Sequence, residues 1–80
     1  MSNPRTYYRL DGSIIDRAQI LLWCTQHAGD KHFGKAMFIA IDAIPSDGRT
    51  MPEILNTLGA SNATKLLIEK LIVNGVHRFE

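Results

Sequence analysis

A mainly α fold is what this sequence predicts: four helices in one small domain, with a short two-stranded ribbon where the chain ends meet. Three observations lead there. Apolar residues recur at three- and four-residue spacing in four separate stretches. Each stretch follows a Ser, Thr or Asp and precedes a Gly or Pro, the residue types that start and stop helices. Strand-like composition is confined to the two ends, Thr6–Leu10 and Val76–Phe79. Eighty residues make a single domain spanning 1–80, and a chain of that size buries roughly 60–65% of its unfolded surface. Met1 to Arg5 are expected to be a disordered tail.

Thr6-Tyr7-Tyr8-Arg9-Leu10 carries aromatic and branched residues up to an Asp11-Gly12 turn, so it reads as a strand. Ser13 is expected to cap the first helix, with Asp16 in its first turn facing the positive dipole end. Ile14, Ala18, Leu21 and Leu22 then give one apolar face, and Gly29 stops the helix. Asp30 is the next cap. Phe33, Met37, Ala40, Ile41 and Ile44 form the second stripe, which ends because Pro45 disfavours helical backbone at Ile44. Pro45-Ser46-Asp47-Gly48 is turn composition.

Thr50-Met51-Pro52-Glu53 is a capping box with proline near the first helical position, so the third helix starts there. Ile54, Leu55 and Leu58 are its inner face, and Gly59 is expected to end it. Ser61 caps the fourth helix, whose Leu66, Leu67, Ile68, Leu71, Ile72 and Val73 make it apolar over a wide arc. Such a helix belongs at the centre of a core or in a dimer contact. Gly75 closes it. Leu55, Leu58, Leu67 and Leu71 are the expected core leucines. Val76-His77-Arg78-Phe79 alternates and pairs with Tyr7 to Leu10 at the other end.

Composition narrows the function classes. Nine basic residues against eight acidic ones give a formal charge of +1, without the basic excess of a strongly DNA-binding domain. No apolar run reaches the ~18–20 residues of a membrane span, and the N-terminus lacks the apolar core of a signal peptide. A cytoplasmic protein without membrane contact is expected. A lone Cys24 cannot form an internal disulfide. Cys24, His27, Asp30 and His32 lie within nine residues, but their spacing fits no structural zinc pattern, so neither metal nor cofactor is expected. The glycines form no phosphate-cradling loop, and Cys24 with His27 on one helix makes no shaped nucleophile site. The chain reads as a non-enzyme.

Two constellations remain. Residues 50–65, with Leu58-Gly59-Ala60-Ser61 at the turn and Gly75-Val76 at the far end, resemble the helix-turn-helix of winged-helix DNA-binding repressors over residues 50–79. No wing residues follow Phe79. The resemblance implies a small DNA-binding, transcription-regulating homodimer. Ser61, Asn62, Thr64 and Lys65 would then face the major groove or phosphates, and Arg49 and Thr50 the DNA backbone. The competing reading is a plain helical hairpin in a small protein-interaction module that binds and modulates another macromolecule, for example a phage or mobile-element inhibitor. Trp23 and Phe38, beside the apolar stripes of the first two helices, are its interface residues.

Overall fold

The first described elements form a hairpin that sets the frame for the helices after it. The structure, a computed structural model, describes residues 5–80, so the expected tail over Met1–Pro4 lies outside the described residues. Arg5 does not behave as a tail: its Nη1 donates to the carbonyl of Ile41 at 2.7 Å, and its guanidinium lies 4.0 Å from the centre of the Phe79 ring.

β1 (Tyr7–Tyr8) pairs antiparallel with β2 (Ile14–Ile15) on one side and with β3 (Arg78–Phe79) on the other, giving the sheet order β2-β1-β3. Tyr7 lies opposite both Ile15 and Phe79, and all three are buried, whereas Ile14 across from Tyr8 is 65% exposed. This period-two alternation is what places Ile14 and Ile15 in a strand. The pairing of the two chain ends is as expected, but the ribbon gains a third strand. Ser13 accordingly does not cap a helix. Its N–H donates to Asp11 Oδ1 at 2.9 Å and its carbonyl accepts from Arg9 at 2.8 Å, so it belongs to the hairpin turn. Asp16 is the true N-cap, accepting from the Ala18 N–H at 2.9 Å.

α1 (Arg17–Ala28) and α2 (Lys31–Asp42) are joined by two residues alone. Gly29 takes a left-handed conformation (φ 72°) that few other residues adopt. Asp30 then caps α2 by accepting from the N–H groups of His32 and Phe33. Ile41 and Ile44 are buried as expected, but elsewhere the inner faces are rotated from those expected. α1 buries Ile20 and Cys24, leaving Ala18 and Leu22 outward; α2 buries Gly34, Phe38 and Ile41, leaving Phe33 (67% exposed) and Ala40 outward. The cause is Gly34: a Cβ there would lie 2.4 Å from the Thr25 Cα, so the two backbones meet where α2 has no side chain.

α3 (Met51–Thr57) starts at the expected capping box on Thr50 and Glu53, and α4 (Asn62–Val73) starts at the expected cap on Ser61. Gly59 is not a helix-stop glycine. α3 ends at Leu58, whose extended backbone (φ −76°, ψ 121°) leads directly away from the helix, and Gly59 is not among the glycines with positive φ. Gly75 is, at φ 100°, just past the Asn74 C-cap of α4. Leu67, Ile68 and Leu71 are buried and Leu55 and Leu58 half-buried, while Leu66 and Val73 face outward. A bridge between Thr50 and Arg78, with the Met51 N–H donating to the His77 carbonyl at 2.7 Å, holds the start of α3 against β3.

Candidate macromolecule-binding surfaces

The residues expected to touch DNA occupy the starts of α3 and α4, and most are already engaged within the fold. Arg49 Nη1 donates to Thr57 Oγ1 at 2.7 Å and Nη2 to the Pro45 carbonyl at 3.0 Å, so the guanidinium laces the 45–49 loop to the last turn of α3. Thr50 Oγ1 accepts from the Glu53 N–H and donates to Glu53 Oε1 at 2.9 Å. Ser61 Oγ accepts from the Thr64 N–H and lies 3.2 Å from Thr64 Oγ1. Asn62 is exposed and Lys65 half-buried. The two helices are thus consecutive and separately capped, but their polar side chains serve the caps.

Of the two expected interface aromatics, Phe38 is a core residue, 9% exposed, edge-on to Tyr7 and covered by the Arg17 guanidinium at 4.8 Å. Trp23 is half-buried and lines a cleft of about 220 Å³ between α1 and α4 with Gln26, His27, Lys70 and Asn74. Cys24 is fully buried, and burial pushes its thiol up to about 11. Asp30 is spent on capping α2. Among the described residues no group of three or more His, Cys, Asp or Glu side chains is placed to hold a metal ion, nor is any helix long and apolar enough to cross a membrane.

Charge is divided unevenly between committed and uncommitted groups. Arg17 Nη2 meets Asp42 Oδ2 at 2.7 Å, and the Tyr7 hydroxyl donates to Asp42 Oδ1 at 2.8 Å. Burial first, and then this hydrogen bond, holds the Tyr7 phenol well above its ordinary value. The Arg17–Asp42 hydrogen bond raises the Arg17 value as well. Arg9 bonds Ser13 and the Ile14 carbonyl, and Arg78 pairs with Glu80. All five arginines therefore make hydrogen bonds within the chain. Lys31, Lys35, Lys65 and Lys70, by contrast, form no ion pair among the described residues.

Two apolar clefts flank α2. On the α4 side, Phe33, Ala36, Met37 and Ala40 face Ala63, Thr64 and Leu67 across about 350 Å³. On the α1 side, Ala18, Leu21, Leu22 and Thr25 form the floor of a cleft of about 380 Å³ rimmed by Lys31 and Lys35. Sequence reasoning missed both, because it counted Phe33, Ala18 and Leu22 into the core. The one signal available was Gly34, a glycine inside an otherwise continuous helical pattern, which marks a close approach and so fixes the phase of both helices. Comparison of the chain with family models, with curated proteins and with solved structures finds no match.

Proposed function

We propose that this protein works by binding another protein, and that α2, with the clefts on either side of it, is the binding element. The observation that carries this reading is the pair of open apolar clefts along α2, lined by Leu21 and Leu22 on one side and by Phe33 and Met37 on the other. Leaving such side chains in water forgoes roughly 25 cal/mol for each Å² of apolar surface, which a protein partner recovers on docking. A sugar-phosphate backbone offers little apolar surface in return, and its affinity comes from cations that release counterions.

The helix-turn-helix reading rests on the consecutive capped helices α3 and α4 and on the exposed Asn62 at the start of α4. It is the weaker of the two. Arg49, its backbone-contacting cation, already makes its hydrogen bonds inside the 45–57 segment. The N-terminal half of α4 borders the apolar cleft with Ala63 and Thr64 and offers one lysine, Lys65.

The test is a selection from a displayed library of random 16-residue peptides, followed by rebinding of the retained pool to Leu22→Glu and Phe33→Glu variants. Both positions are exposed, so the variants keep their helical circular dichroism. Retention by the wild type, with loss on at least one variant, is the expected result. No retained peptide, together with salt-sensitive binding of a random-sequence duplex, would replace this reading with the DNA one.

A further inference from the structure

We propose that the cleft between α1 and α2 receives an acidic amphipathic helix of the partner protein; the proposal rests on the protein-binding reading and specifies its ligand. The cleft exists because α1 and α2 pack so closely at Gly34 and Thr25 that their outer flanks form a trough along the seam. Its floor is Ala18, Leu21 and Leu22, with Thr25 the one uncharged polar side chain. The cleft measures about 380 Å³, within the size range of ligand-binding clefts. A helix laid in a groove supplies these from positions i, i+3, i+4 and i+7.

The rim decides the sign of the partner. Lys31 and Lys35 are four residues apart on α2, roughly 6 Å along its axis, and both line the cleft. Both are exposed, and neither has an ion-pair partner among the described residues. No acidic residue lines the cleft. At the Ala18 end Arg17 and Asp42 neutralise each other at 2.7 Å, and the Asp16 carboxylate is held by the Ala18 N–H at 2.9 Å as the cap of α1, outside the lining. A partner helix with carboxylates one turn apart, flanking its apolar stripe, places one against each ammonium. The cleft between α2 and α4 has no charged residue in its lining and carries no such preference.

The experiment sequences the peptide pool retained by the wild type and measures its affinity for the double variant Lys31→Glu/Lys35→Glu. Both lysines are exposed surface positions, and circular dichroism checks that the variant is folded. The pool is expected to be enriched in Asp and Glu at three- or four-residue spacing beside apolar residues. Affinity is expected to fall about tenfold or more on the double variant, since two exposed attractions become two repulsions. A second selection against the double variant is expected to return Lys- and Arg-bearing peptides. A pool without acidic enrichment, or one bound equally by wild type and double variant, overturns the proposal. If such a pool is lost only on Phe33→Glu, the acidic-helix proposal fails while the protein-binding reading stands. If no peptide is retained and a random-sequence duplex is bound, both fail.

Discussion

Gly34 shows how much of this fold hangs on one missing atom. An alanine there would gain about 1 kcal/mol of helix propensity, but its Cβ would meet the Thr25 Cα at 2.4 Å, a backbone atom that cannot rotate away. Overpacking of this kind costs about 1–3 kcal/mol, and a clash against backbone lies at the upper end, so Gly34→Ala is expected to be less stable by up to about 2 kcal/mol in urea unfolding. A variant as stable as the wild type would mean that α1 and α2 sit further apart. Cys24 makes a second prediction at this scale. Its buried thiol stays protonated to about 11, against an ordinary 9.0 in the unfolded chain. Below pH 9 both states hold the proton and this group leaves stability unchanged. Between 9 and 11 only the unfolded state releases it, so stability falls as pH rises through that window. Tyr7, raised in the same direction, adds to the loss above pH 10. Unfolding midpoints measured from pH 8 to 11 should decline in the wild type and decline less in Cys24→Ala.

Among the elements, three of the four helix starts were legible, and the helix faces only in part. Asp30, Thr50 and Ser61 could be identified because a cap is a local event, a side-chain oxygen reaching an N–H two or three residues on. Ser61→Ala is expected to cost about 1 kcal/mol, and Thr50→Ala, which breaks a reciprocal box, about 1–2 kcal/mol. Denaturant melts read both directly. Ser13 misled because Asp16, three residues later, competes for the same role, and only the pairing of Ile15 with Tyr7 decides between them. The α2 stripe was right at Ile41 and Ile44, which are buried, and misled at Phe33 and Ala40, because Phe33-Met37-Ala40 and Gly34-Phe38-Ile41 both have helical spacing and differ by one residue, about 100° of rotation. Periodicity names a stripe, and the partner helix chooses which stripe is buried. In α4, where Leu67 and Leu71 were expected inside and are buried, Leu67→Ala and Leu71→Ala should each cost about 2–5 kcal/mol. Leu55→Ala and Leu58→Ala, at half-buried positions, should cost less.

Across the whole molecule, the two chain ends are fastened to the helices by a polar cluster no local pattern foretells. Arg5, Tyr7, Arg17 and Asp42 come from the N-terminal arm, β1, α1 and α2, and Phe79 of β3 stacks on Tyr7 with ring centres 5.6 Å apart. The hydrogen bonds of this cluster span up to 36 positions in sequence, which is why Arg5 read as a tail and Phe38 as an interface residue. Arg17→Met should cost only about 1 kcal/mol, because the pair is about one-third exposed and screened by water. The candidate site was hidden for the same reason. The helix-turn-helix outline could be read from adjacent residues, whereas the clefts beside α2 exist only once α1 and α4 are packed against it. Backbone amide shift mapping of the ¹⁵N-labelled protein tests the protein-binding account most directly, with the retained peptide pool's leading member and a random-sequence duplex titrated in turn. Peptide-induced shifts are expected at Ala18, Leu21, Leu22, Lys31 and Lys35, and none with the duplex at physiological salt. Shifts induced by the duplex at Asn62, Thr64 and Lys65, with the α1–α2 cleft undisturbed by peptide, would contradict it.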